Sequence, residues 1–169
     1  IEDIEGQWDV VFSHAAIQWV PDHAHLIPRL MTLVRPGGQV AVQLPSNHGH
    51  FSHTLIGEVA SEEPFRTALN GWTRQSPVLP LTDYAELLFA SGGEKITAFE
   101  KIYPVILKDS DGIVEWVSGT TLVPLFERLP QTLHHRFMER YRARMRLRCP
   151  ASPVFYAFQR ILFAATRTS

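Results

Sequence analysis

The chain has 169 residues, 45% apolar and 20% charged, with 16 Lys and Arg against 17 Asp and Glu. A formal net charge of −1 supplies no broad cationic field, which argues against nucleic acid as a partner, and no run of about 18 apolar residues exists to span a membrane. The one cysteine, Cys149, excludes an internal disulfide and fits a reducing, cytoplasmic compartment. A chain of this size can bury roughly 70% of the surface its unfolded form exposes, so 1–169 reads as a single domain. Its acidic opening, Ile1-Glu2-Asp3-Ile4-Glu5, is unlike a signal peptide. It has no initiator Met and reaches a strand-like run early, as a chain beginning inside a fold would.

Trp8-Asp9-Val10-Val11-Phe12-Ser13-His14 is β-branched, aromatic and apolar on consecutive positions, the pattern of a strand covered on both faces. Asp22 is placed to cap a helix over 23–34, with Leu26, Leu30 and Leu33 on one face. Arg35-Pro36-Gly37-Gly38 ends it with a Pro–Gly turn, and a second buried-type strand follows at 39–44. This β–α–β spacing predicts a right-handed parallel crossover. Next come a helix near 52–62, an irregular stretch over 63–82, and a short helix over 83–89 stopped by Gly92-Gly93. A long β stretch covers 96–107, and an all-helical insertion covers about 111–148 in three helices (111–118, 122–129 and 131–148). A terminal strand over 155–166 closes the chain. The fold class is α/β.

In an open parallel sheet, ligands sit beyond the carboxyl ends of the strands. Two such ends are visible here, Ser13-His14-Ala15-Ala16 and Pro45-Ser46-Asn47-His48, and both switch from apolar to small or polar residues. Small residues there admit a ligand close to the backbone, or simply make compact connections. Arg160 stands in an apolar strand, where a charge requires a partner: a substrate carboxylate, or an Asp or Glu of the protein. His48-x-His50-x-x-His53 has the density of a metal site, but the stretch carries no Cys and no nearby acidic residue, so no metal is assigned. Arg136, Arg140, Arg144 and Arg148 recur every fourth residue beside Leu133, Phe137, Tyr141 and Met145, which reads as an amphipathic helix with a solvated basic face.

The segment Trp8 to His23, with its Ala15-Ala16-Ile17-Gln18-Trp19 block, resembles the fourth strand and following loop of class I S-adenosylmethionine-dependent methyltransferases, closest to the trans-aconitate 2-methyltransferase group. Leu33 to Pro45 resembles that family's next turn and fifth strand, Ile113 to Thr120 its inserted helical segment, and Phe158 to Phe163 its closing strand. The resemblance implies a partial Rossmann-like sheet in which the strands near 8–14, 39–44, 96–107 and 159–166 lie together. The last would be antiparallel and sit between the second and third. It implies S-adenosyl-L-methionine as cofactor, touched at its methionine end by Ser13, His14 and Ala15 and walled by Trp19, unless Trp19 merely braces the core. For a small anionic substrate it points to His48 and Arg160, with Tyr103 and Trp116 as candidate walls or core residues. Asp3-Ile4 stands where an acidic–apolar pair would flank the adenine.

The family's glycine-rich cofactor loop has no counterpart in the chain. Val123 precedes Pro124 where the trans-aconitate group usually carries Arg, which argues against trans-aconitate itself, since Val cannot hold a carboxylate bidentately. No Ser-His-Asp set or carboxylate pair is evident, and transfer to an ionised carboxylate requires no general base. The implied activity is methylation of a small carboxylic acid. Two readings stand beside it: a remnant or interaction module without activity of its own, and an O-methyltransferase for another acceptor such as a carrier-bound malonyl group. The first strand would lack an outer neighbour, and such an edge invites self-association.

Overall fold

The computed structural model describes residues 3–168. Strands β1 (Trp8–His14), β2 (Val34–Pro45), β3 (Gly93–Leu107) and β4 (Val154–Arg167) form a sheet in the order β1-β2-β4-β3. β1 and β2 are parallel, and β4 runs antiparallel to β2. The last strand lies between the second and third, as the family's topology implies. Seven α-helices complete the described residues: α1 (His23–Thr32), α2 (Phe51–Ala60), α3 (Phe65–Ala68), α4 (Leu81–Ala90), α5 (Ser110–Ser118), α6 (Val123–Phe126) and α7 (Gln131–Arg148). The chain divides into two compact units, Ile1–Ser46 with Ser76–Tyr103 and Gln159–Ser169, and Asn47–Gln75 with Pro104–Phe158.

In the first unit, period-two alternation along the strands decides which face is covered. Val40, Val42 and Leu44 of β2 stand in register with Ala165, Phe163 and Ile161 of β4, and all six are buried. They join Leu26, Ile27, Leu30 and Met31 of α1 and Tyr84 and Leu88 of α4 in one core. Asp22 caps α1 as expected, its carboxylate accepting the His25 N–H at 3.2 Å. β1 departs from expectation. It is an edge strand, and Val10 and Phe12 on its second face are 56% and 68% exposed. Its run of apolar residues therefore does not reflect cover on both sides.

The Pro–Gly turn also falls elsewhere than expected. α1 ends at Thr32 with Leu33 as its cap, and Arg35 to Gly38 lie inside β2, where the register steps from Trp8↔Val34 to Val10↔Gln39. The surplus residues of β2 bulge, with Gly37 at φ +76°. Gly38 lies against β1: an added Cβ would sit 2.8 Å from the Asp9 carbonyl oxygen.

The second unit is helical around a separate core. The stripe Phe137, Tyr141 and Met145 on α7 is fully buried against Leu55, Val59, Ile113, Val117 and Tyr156. α7 has the bounds expected from the sequence, whereas α6 is only four residues long. The stretch over 63–82, expected to be irregular, holds the one-turn α3. The basic stripe is not simply solvated: Arg140 Nε and Arg144 donate to the Glu62 carboxylate at 2.5 and 2.6 Å. Off the stripe, Arg146 donates to Asp111 at 2.6 Å.

Candidate functional site

At the carboxyl end of β1 the chain turns sharply. The Ala15 N–H donates to the Gln43 carbonyl of β2 at 2.8 Å, and Ala15 itself takes φ +49°. That conformation costs a non-glycine residue on the order of 1 kcal/mol. A 3-10 turn follows at Ile17–Trp19, with Ile17 buried and Trp19 47% exposed. The Gln18 side-chain amide bridges back to the Ala15 carbonyl at 2.7 Å, and its Oε1 is buried with no partner. Ser13 is half-buried, while His14 is exposed and lies over Phe12 at 6.5 Å. At the end of β2, the Ser46 hydroxyl is a second buried polar atom without a partner.

A buried relay underlies the turn. His23 Nε2 lies 2.9 Å from the Ile17 carbonyl, which can only accept, so that nitrogen carries the proton. Nδ1 then accepts from the Tyr84 hydroxyl at 2.5 Å, and that oxygen accepts the Leu79 N–H at 3.2 Å. Tyr84 stacks on Phe163 at 4.8 Å, and burial pushes its hydroxyl up to about 12. The relay ties α1 and the approach to α4 to the turn that displays Gln18 and Trp19.

Two expected substrate residues meet through a third. Arg160 donates to Gln43 Oε1 at 3.1 Å, and Gln43 Nε2 donates to the Tyr103 hydroxyl at 3.1 Å. The Arg160 guanidinium lies 5.8 Å from the Tyr103 ring centre and the Lys101 ammonium 4.8 Å from it. The three residues come from β4, β2 and β3, and all are half-buried. Gln43 is in register with His14 of β1, so their side chains share a sheet face. Sequence reading missed both Gln43 and Gln18. The signal for Gln43 was a polar residue inside the apolar run Val40 to Leu44.

The remaining candidates belong to the second unit. His48 is exposed in a 3-10 turn at Asn47–Gly49. Trp116 is 44% exposed and packs edge-on to Phe158 at 5.7 Å, so it is no core residue. Asp3 belongs to the first unit, in a turn ahead of β1. Among the described residues no group of three or more His, Cys, Asp or Glu could hold a metal ion, and no helix is long and apolar enough to cross a membrane.

No family model matches the chain. The trans-aconitate 2-methyltransferase of Deinococcus radiodurans is 46% identical to it, over 99% of this chain and 66% of its own length. The chain belongs to the trans-aconitate 2-methyltransferase family. The enzymes of that name from Variovorax paradoxus and Rhizobium meliloti are 38% and 37% identical, over 81% and 92% of this chain and 53% and 62% of their own. The chain thus spans between half and two thirds of the length of these family relatives. Among solved structures, the YcgJ protein from Bacillus subtilis has a TM-score of 0.51 at 9% identity, over 96% of this chain and 65% of its own. A candidate methyltransferase from Bacillus halodurans has a TM-score of 0.50 at 12% identity, over 100% of this chain and 68% of its own. Both show that the Rossmann-like methyltransferase fold of the family is the fold seen here.

Proposed function

We propose that the chain serves S-adenosylmethionine-dependent methylation of a small carboxylic acid. The observation that carries this reading, beside family membership, is the Arg160–Gln43–Tyr103 group on the sheet. A half-buried guanidinium steadied by an amide and an aromatic face suits a carboxylate, which guanidinium holds in bidentate fashion.

The residues at the end of β1 fit the methionine end of the cofactor. The partnerless Gln18 Oε1 is an acceptor for an ammonium group, the left-handed Ala15 opens the backbone to a ligand, and Trp19 offers a face to a sulfonium. When bound, the cofactor supplies an activated methyl group on a positively charged sulfur. A carboxylate acceptor is already ionised at neutral pH, since carboxyl groups titrate near about 4. The work left to the protein is therefore to hold the acceptor in line and exclude water. Arg160 binds one acceptor oxygen pair, and Tyr103 and Gln43 fix the guanidinium plane. Ser13, His14 and Ala15 line the cofactor side. Trans-aconitate is one candidate acceptor, and Val123 before Pro124 speaks for a different acid or a carrier-bound malonyl group.

The test is calorimetric cofactor binding to the chain, followed by base-labile methyl ester formation. Arg160→Gln should raise the KM for the acid at least about tenfold, a loss of about 1.4 kcal/mol, and leave cofactor affinity unchanged. An unaltered KM would remove Arg160 from the site. A chain that binds no cofactor would instead support a second reading, an interaction module that pairs with another copy of itself along β1. The exposed Val10 and Phe12 favour it.

A further inference from the structure

The turn after β1 is bounded by two strained residues. Ala15 at its start takes φ +49° and Asp22 at its end φ +53°, both in the left-handed region that side chains other than glycine rarely adopt. Such residues persist only where the surrounding structure holds them. At the front, the hold is the Ala15 N–H on the Gln43 carbonyl of β2. Inside the turn, the Ile17 carbonyl accepts twice, from the Val20 N–H at 2.8 Å and from His23 Nε2 at 2.9 Å. The first bond closes the 3-10 turn on itself. The second fastens it to α1, where His23 is the first residue.

His23 is a buried titratable group with no part in the chemistry above. The bonds around it run one way. The Leu79 N–H donates to the Tyr84 oxygen, the Tyr84 hydroxyl to His23 Nδ1, and His23 Nε2–H to the Ile17 carbonyl. Burial raises the Tyr84 hydroxyl to about 12, so it keeps the proton that this direction requires. The relay starts at the approach to α4, where Tyr84 is stacked on Phe163 of β4, and ends on the carbonyl just ahead of Gln18 and Trp19. Ile27, Met31 and Leu88 belong to the same core. Packing alone would be served there by an apolar side chain, since a buried polar chain is costly unless each member is paired. What His23 adds is a donor aimed at the turn.

We propose that His23 is a positioning residue for the cofactor: through the Ile17 carbonyl it fixes the turn over 15–19, so that the Gln18 Oε1 acceptor and the Trp19 face stay where the methionine end binds. Tyr84 selects the tautomer that lets His23 donate. The assignment rests on the methyltransferase reading above. Because His23 is buried, it acts through the backbone of the turn, and its loss weakens the cofactor without removing any group that touches it.

The experiment titrates the whole chain with S-adenosylhomocysteine by calorimetry, and follows its urea midpoint and the amide hydrogen exchange of Val20. His23→Leu alone strands the buried Tyr84 hydroxyl and is expected to destabilise the chain. The double variant His23→Leu with Tyr84→Phe removes both polar groups, so its urea midpoint should return close to the wild-type value. Its affinity should stay at least about tenfold weaker, because small misplacements of binding groups cost that much, and Val20 should exchange faster. His23→Gln, whose amide both donates and accepts, should bind within about threefold of the wild-type chain. Where the double variant does not fold, His23→Asn, too short to reach the Ile17 carbonyl, takes its place in the comparison with His23→Gln. A double variant that binds as tightly as the wild-type chain, or His23→Gln binding as weakly as the double variant, overturns the role of His23 and leaves the methyltransferase reading standing. A wild-type chain that binds no S-adenosylhomocysteine overturns that reading instead, and exchange then decides for His23. Faster exchange at Val20 with an unchanged urea midpoint upholds the tether, and unchanged exchange overturns it.

Discussion

His53 meets two hydroxyls in the folded chain and water in the unfolded one, and that difference has a sign. Its folded value lies at about 4, below the ordinary 6.5. The unfolded state therefore takes up a proton first as the pH drops. Stability is complete above about 6.5 and is lost as the pH falls toward 4, about 2 kcal/mol of it between pH 7 and pH 5. Urea denaturation at the two pH values should show that loss in the wild-type chain and much less in His53→Gln. Equal slopes for both would remove His53 as the source. At this scale the sequence was informative where a residue type contradicts its surroundings. Arg160 in an apolar strand called for a carboxylate, from substrate or protein, and its hydrogen bond to the amide of Gln43 is to a residue type that reading did not name. The Thr121–His53–Ser52 chain could not be read, because it joins residues 68 positions apart whose chemistry is ordinary in isolation.

Helices and strands were largely legible, since burial follows their period. α7 starts and ends where its repeat starts and ends, and β2 alternates through Val40, Val42 and Leu44. Errors arose where tertiary context overrides local pattern. β1 looks doubly covered and is an edge, and the basic stripe of α7 looks solvated and grips Glu62. That grip gives a second prediction. Hydrogen bonds from Arg140 and then Arg144 hold the Glu62 carboxyl below its ordinary value of 4.5, so its contribution is present above that pH and is lost as pH falls through the folded value. The guanidiniums are partly exposed, which limits the pair of bridges to about 1 kcal/mol in total. Glu62→Gln should cost about that much in urea denaturation at pH 7, less in high salt, and almost nothing at pH 3. A full cost retained at pH 3 would assign the effect to packing instead.

At the scale of the molecule, the sheet order decides what is left uncovered. β4 lies between β2 and β3, so among the described residues β1 is at the margin of the sheet with one side of its backbone ladder unshared. Ordinary proteins blunt such an edge with charge, proline or a bulge. Here the β1–β2 pairing is irregular between Trp8 and Val10, and beyond that point the strand carries Val10, Val11 and Phe12 ahead of Ser13 and His14. Val10 and Phe12 are exposed on one face, an arrangement suited to a second copy of the same strand. Sedimentation velocity should therefore show concentration-dependent dimers of the wild-type chain. Phe12→Lys adds a charge at the centre of that row, and two copies would bring like charges together. Because Phe12 is 68% exposed, its replacement should change folding stability by no more than about 0.5 kcal/mol. The expected outcome is a monomer of undiminished stability that keeps any cofactor affinity the wild-type chain has. Wild-type monomers at every concentration, or dimers that survive Phe12→Lys, would show that this edge does not associate.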